Sequence, residues 1–290
     1  MGRELAERYP SAMHVFEEAS HALGIDLKKL AWDGPQSELD LTANTQPTLL
    51  TASIAALRAA QEAAGTLAEP LALLGHSLGE FTALVATGAL PLADAARLVR
   101  RRGELMQHAD DSGGMLAVLG LDADAIARAI ADSGMVIAND NAPGQVVISG
   151  PRGDIERVTA SLKASGAKRV IALRTSGAFH SPTMRAVAPD LAAALGAARW
   201  DALRYPVIAN VDAEMHEHAA DFPKLLEKQV WSPVQWAGSM RRAGGEGATA
   251  FVEFGPGSVL TGLAKRILPD ARTANVSDVK TLEEALPVLR

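Results

Sequence analysis

The stretch Gly75-His76-Ser77-Leu78-Gly79 sets a serine between two glycines, where an apolar run ends and a helix-like pattern begins. This is the G-x-S-x-G spacing of a strand-to-helix turn that exposes a serine hydroxyl. The glycines let neighbouring backbone pack close. The helix that follows starts with unpaired N–H groups, Leu78's first, facing any negative charge that develops beside Ser77. The same spacing also serves ordinary tight turns. The nucleophile reading rests on context, a short apolar strand expected at Leu71–Leu74 and a helix running on through Val85.

A serine nucleophile needs a base to take its proton. Of seven histidines, His14 and His21 fall on the polar side of an expected helix, and His108 ends another beside Asp110 and Asp111. His216 and His218, in the acidic stretch DAEMHEHAAD, read as solvent-exposed rather than as metal ligands, and no metal is expected. His76 adjoins Ser77 in the turn, where the two side chains should diverge. His180 remains, in the small, apolar, non-helical stretch SGAFHSPTM. A satisfied core histidine is the plain alternative there, but no other histidine is as well placed to serve Ser77. Gly255–Val259 (GPGSV) lacks the P-loop lysine-hydroxyl pair and the dinucleotide spacing. It reads as a tight turn on the active-site side of the sheet, not as a nucleotide site.

The elements that must position these residues follow from periodicity. An amphipathic helix is expected over Arg3–Leu23 and a second from about Pro47 to Ala64, after the turn residues TANTQP. In LPLADAARLVRRRGELMQ, the residues Leu92, Ala95, Ala96, Val99 and Leu105 share one buried face. Helices alternating with short apolar strands argue for an α/β, hydrolase-like core with a mainly parallel sheet. Between residues 113 and 177 the order changes to strand, helix, two strands, helix, strand, that of a ferredoxin-like (βαββαβ) subdomain. It is expected as an insert in a catalytic domain made of 1–112 and 178–290.

The 290 residues are 48% hydrophobic and 21% charged, far from disordered composition and sufficient for such a domain. A net charge of −6 with 4% aromatic residues argues against nucleic-acid binding. The clusters Arg100-Arg101-Arg102, Lys168-Arg169 and Arg241-Arg242 read as solvated faces or as contacts for an acidic partner. No apolar run nears the roughly 18 residues that a membrane span needs, and MGRELAERYP is unlike a signal or transit peptide. The absence of cysteine removes disulfides, thiolate metal sites and a cysteine nucleophile, and it fits a cytoplasmic home. A monomer is expected, since no long apolar surface stripe is left over.

Taken in order, GHSLGE, RLVRRRG, NDNAPGQVVISG, GAFHS, SPVQW and EFGPGSVLTGL resemble the malonyl-CoA:acyl carrier protein transacylases and the related acyltransferase domains of polyketide synthases. The resemblance covers essentially the whole chain. It implies ping-pong transfer of malonyl from malonyl-CoA to the phosphopantetheine thiol of acyl carrier protein. Ser77 would be the nucleophile, His180 the general base, and the Leu78 N–H would face the oxyanion. Through SPVQW it implies that a backbone carbonyl at Gln235 orients the histidine, with no carboxylate required. For the free carboxylate of malonyl it selects Arg102, whereas the residues alone do not choose among the three arginines. Phe179 resembles malonyl-selective members and disfavours branched acyl groups by bulk, and Gln46, His76 and Asn141 match cleft-lining positions. No cofactor is implied beyond coenzyme A as thioester substrate and the partner's phosphopantetheine. A stand-alone chain leans toward fatty-acid rather than polyketide synthesis.

Family members open with a strand and a PGQGSQ-like turn, whose first glutamine supplies a second oxyanion N–H. That opening does not precede Met1 here. A misassigned start is the expectation, with a truncated or weakened member as the alternative, since loss of one such donor costs about 10²–10³ in rate. Two other readings stand beside the transferase. A serine esterase or thioesterase shares the elbow and histidine but needs no buried arginine. A non-catalytic binder of acyl carrier protein predicts no acyl-serine.

Overall fold

The computed structural model describes residues 1–109, 112–175 and 177–290. Asp110 and Asp111, expected beside His108, lie outside the described residues. Among the described residues nine strands occur in chain order: β1 Leu73–Leu74, β2 Gly113–Leu119, β3 Val136–Ala142, β4 Gln145–Pro151, β5 Arg169–Ala172, β6 Val207–Ile208, β7 Met215–His216, β8 Ala250–Phe254 and β9 Arg272–Val276. With the helices between them they make an α/β architecture.

The parallel pairing expected of the larger body occurs in two short sheets rather than one. β1 runs parallel to β6, with Leu73 opposite Val207, and β6 carries β7 as an antiparallel partner. β8 and β9 form a separate parallel pair. β1 and β6 lie against the Leu78–Ala86 helix, and β8 and β9 against the long Thr42–Ala64 helix. The Thr42–Ala64 helix is buried along most of its length, with Leu50, Ala52, Ile54, Ala55, Ala56, Ala59 and Ala60 all inside. Its small residues admit close neighbours. At Gly103 of the Leu92–His108 helix, a Cβ would lie 2.7 Å from the Ala43 Cα.

β2 to β5 form a four-stranded antiparallel sheet in the order β3-β4-β2-β5. The helices Ala123–Ala129 and Ile155–Ala164 connect its strands and close a core of Leu116, Val118, Ile126, Ile148, Val158 and Leu162. The module meets the larger body where β3 passes Val234. The Asp140 N–H donates to the Val234 carbonyl at 3.0 Å, and the Val234 N–H donates to the Ala138 carbonyl at 2.8 Å.

Two helix expectations change. Arg3–Leu23 is broken into Arg3–Arg8 and Pro10–Leu23. The residue before a proline is pushed out of the helical region, and Tyr9 sits extended at φ −122°, ψ 113°. Conversely, the second helix starts at Thr42, so TANTQP is helical and Pro47 lies inside. Proline cannot donate to the carbonyl four residues back. The Arg100 Nη1 donates to that carbonyl, Ala43 O, at 3.3 Å instead. Tertiary contact replaces the missing backbone bond.

The turn after β1 depends on one glycine. A Cβ on Gly75 would fall 1.8 Å from the Gly79 carbonyl oxygen, whereas one on Gly79 meets nothing within 4 Å. Gly75→Ala is expected to cost about 3 kcal/mol or more in urea denaturation, because the clash is with backbone that cannot rotate away. Gly79→Ala is expected to stay within about 1 kcal/mol of the parent.

Candidate active site

Ser77 occupies the sharp turn between β1 and the Leu78–Ala86 helix at φ 51°, ψ −105°. A left-handed, non-glycine residue of this kind costs about 1–3 kcal/mol and persists only where its surroundings over-determine it. Here they do. The Ser77 N–H donates to Asn210 Oδ1 at 2.7 Å, Asn210 Nδ2 donates to the Gly75 carbonyl at 2.7 Å, and Gln229 Nε2 donates to the Ser77 carbonyl at 2.9 Å. With its own N–H committed, Ser77 leaves the Leu78 N–H as the first free donor of the helix.

His180 is the second left-handed non-glycine residue, at φ 55°, and is buried. Its Nε2 lies 2.8 Å from Ser77 Oγ and its Nδ1 lies 2.9 Å from the Gln229 carbonyl oxygen. A carbonyl only accepts, so Nδ1 carries the hydrogen and Nε2 presents its lone pair to the serine hydroxyl. Burial, and then the nearby Arg102 cation, push its pKa down from 6.5 to about 3. The imidazole is neutral and free to take a proton.

The carbonyl that orients this ring belongs to Gln229, not to Gln235 as the sequence motif implied. Gln229 ends the Phe222–Gln229 helix, where the last carbonyls have no partner within the helix, and one of them is turned toward His180. Gln235 lies beyond Pro233. Its side chain donates to the Val211 carbonyl at 2.6 Å, and its N–H donates to the Asn210 carbonyl at 2.9 Å. The signal available in the sequence was the helix end before Ser232-Pro233, where free carbonyls are to be expected.

The helix phase separates the three arginines. Arg101 is exposed beside Asp190, and Arg100 pairs with Glu104 at 2.8 Å. Arg102 shares the buried face of Ala95, Val99 and Met106 and is 1% exposed. Its Nη1 donates to Gln46 Oε1 at 2.8 Å, and its Nη2 donates to Gln229 Oε1 and to Ser77 Oγ, both at 3.0 Å. The guanidinium lies 5.7 Å from the Phe81 ring centroid. Burial lowers its pKa to about 10, which still leaves a full positive charge at neutral pH.

Gln46 therefore meets the cation directly. His76 turns away from Ser77, as expected, and its Nε2 lies 2.8 Å from Asn141 Oδ1, which ties the turn to the antiparallel module. Phe179 precedes His180. With Gln46, Arg174 and Thr175 it lines a cavity of about 460 Å³. Glu80, Asn210 and Gln229 were not singled out from sequence, yet all three are 0% exposed within the site. Glu80 was the readable one, a carboxylate on an otherwise apolar helix face. Burial raises its pKa to about 7. His14, His21, His108 and His218 are exposed, and His216 pairs with Asp212 at 3.1 Å. Among the described residues no group of histidine, aspartate or glutamate side chains could hold a metal ion.

The acyl transferase domain family matches residues 1–284. A malonyl CoA-acyl carrier protein transacylase of Bacillus subtilis is 42% identical, over 100% of this chain and 93% of its own length. That of Salmonella typhimurium is 43% identical over 98% and 93%. Among solved structures, an acyl carrier protein S-malonyltransferase from Vibrio cholerae superposes with a TM-score of 0.94 at 40% identity, covering 98% of this chain and 94% of that one. A malonyl-transacylase in complex with its type II PKS acyl-carrier protein superposes at 0.95 and 38% identity, covering 99% and 94%.

The depressed pKa of His180 sets a pH window. As pH falls from 6.5 toward 3, the unfolded histidine gains a proton that the native one refuses, so its contribution to stability is full above 6.5 and is lost toward 3. Nitrogen NMR of the imidazoles is expected to show His180 as the neutral Nδ1–H form from pH 8 down to pH 5. A His180 midpoint between 6 and 7 would contradict the burial argument.

Proposed function

The chain belongs to the acyl transferase family, and from that premise we propose that it carries malonyl from malonyl-CoA to the phosphopantetheine thiol of acyl carrier protein through an ester on Ser77. The relatives at 42% and 43% identity bear the name of that reaction. The observation that carries the reading is the Arg102 fork, held 3.0 Å from Ser77 Oγ inside the protein. A buried cation at the reacting atom suits an acyl group that ends in a carboxylate.

In the first half-reaction His180 Nε2 takes the hydroxyl proton as Ser77 Oγ bonds to the thioester carbon. The Leu78 N–H stabilises the oxyanion. The carbon–sulfur bond then breaks, and His180 returns the proton to the departing coenzyme A sulfur. The thiol of acyl carrier protein next reverses the sequence by attacking the ester. Because the Gln229 carbonyl accepts the Nδ1 hydrogen, orients the ring and stabilises the imidazolium by its dipole, no carboxylate is needed. Arg102 exchanges Ser77 Oγ for the malonyl carboxylate, with Gln46 steadying its other nitrogen. The half-buried Phe179 restricts branching beside the acyl carbon.

The βαββαβ order and the strand order β3-β4-β2-β5 support a ferredoxin-like subdomain set into a hydrolase-like core. Its contribution to the site is Asn141, through His76. We take the protein to act as a cytoplasmic monomer with no cofactor of its own. Among the described residues the exposed large apolar side chains, Leu41, Leu71, Ile171, Leu173 and Val259, are few. Among the described residues no helix is long and apolar enough to cross a membrane.

Intact-protein mass spectrometry tests this directly. Malonyl-CoA is expected to leave a single malonyl adduct that is absent from Ser77→Ala. Arg102→Ala should slow malonyl loading about 100-fold, the loss of two charge-assisted hydrogen bonds, while acetyl loading changes far less. Equal slowing of both, or hydrolysis without transfer, would favour the esterase reading.

A further inference from the structure

Arg102 is a buried cation with no carboxylate in contact with it among the described residues. Its nearest compensation is indirect. Arg102 Nη2 donates to Gln229 Oε1 at 3.0 Å, and Gln229 Nε2 donates onward to Glu80 Oε2 at 2.9 Å. The amide cannot reverse. Turned over, its NH₂ would face the guanidinium and its oxygen would face both the Glu80 carboxylate and the Ser77 carbonyl. Both ends of this relay are incompletely satisfied, since Arg102 Nε and Glu80 Oε1 have no hydrogen-bond partner.

We propose that Glu80 is the resting counter-ion of Arg102, linked to it through the Gln229 amide, and that the malonyl carboxylate competes with it for the cation. Glu80 is then a positioning and specificity residue. It keeps the arginine aimed while the site is empty, and it limits how tightly an acid-ended acyl group is held. Weaker ground-state binding leaves more of the interaction to be realised in the transition state. The inference rests on the malonyl-transfer reading of the preceding subsection. A purely structural role for Glu80, accepting from the Asn210 N–H at 3.0 Å, predicts no such competition. Glutamine at position 80 would keep an acceptor oxygen there.

The test uses Ser77→Ala protein, in which no ester forms, and titrates malonyl-CoA and acetyl-CoA by calorimetry with and without Glu80→Gln. The expected result is malonyl-CoA binding tightened about tenfold with acetyl-CoA unchanged within about twofold. Equal shifts for both ligands, or none for malonyl-CoA, overturn the proposal. Should Glu80→Gln not fold, the Ser77→Ala protein with Glu80 intact serves, titrated near pH 7 in two buffers of different ionisation enthalpy.

The Glu80 carboxyl accepts from the Asn210 N–H in the loop after β6 and from the Gln229 amide of the Phe222–Gln229 helix, and the charged groups that act on it are Arg102 from the Leu92–His108 helix and Asp212 from the loop after β6. Losing its share of Arg102, it should take up a proton that acetyl-CoA does not elicit. Equal proton exchange for the two ligands overturns the proposal. If malonyl-CoA does not bind at all, and unaltered protein forms no malonyl-serine, the transferase reading itself falls. Malonyl-CoA binding and serine loading without any Glu80 effect sink only the present inference.

Discussion

Gln229 is the residue on which the site's geometry converges. Its backbone oxygen fixes the tautomer and tilt of His180, and its side-chain oxygen receives Arg102. Its side-chain nitrogen binds both the Ser77 carbonyl and Glu80. Base, cation and nucleophile are thus referred to one buried amide at the end of one helix. Each of its bonds is satisfied in only one orientation, so a change at any partner is felt by the others. Coupled buried networks behave in this way, whereas exposed pairs act singly.

Around that amide the protein stores strain and charge together. Ser77 and His180 both hold left-handed backbone without being glycine, and they face each other at 2.8 Å. The close packing at Gly75 and the bonds from Asn210 keep the first of these conformations from relaxing. Burial acts in opposite senses on the three titratable groups, lowering His180 to about 3 and Arg102 to about 10 and raising Glu80 to about 7. The result at neutral pH is an uncharged base beside a charged fork. An acid-ended thioester requires that combination, and an exposed histidine-arginine pair would not hold it so firmly.

The larger body and the antiparallel module serve this site differently. Long helices and the short strands β1 and β6 fix the elbow, the fork and the Gln229 carbonyl. The module contributes through Asn141 and its contact with His76, while the bridge at Val234 secures the joint. The elbow is therefore buttressed from both bodies. The small parallel sheets carry little area themselves. The Thr42–Ala64 helix, lined with alanine, lets the Leu92–His108 helix come close enough for Gln46 to meet Arg102.

Much of this was legible in one dimension. G-x-S-x-G is a local pattern whose steric reason, room for backbone at Gly75, is local too. The strand and helix order of the module follows from the alternation and 3.6-residue periodicity of residues a few positions apart. His180 stands out because His76 adjoins Ser77 in the turn and the remaining histidines fall on exposed or acidic ground. Short-range rules failed where long-range contact outweighed them. Pro47 sits inside a helix because Arg100, distant in sequence, bonds the carbonyl that proline leaves bare. The motif points to Gln235 instead of Gln229 because a motif marks a neighbourhood and does not say which carbonyl in it points inward. The choice of Gln229, the burial of Glu80 opposite Arg102, and the pKa values that follow all depend on which groups folding removes from water. That is a property of packing between elements far apart in the chain. The sequence by itself determined which residues could react, and the tertiary structure decided which of them share one dry, charged and correctly oriented space.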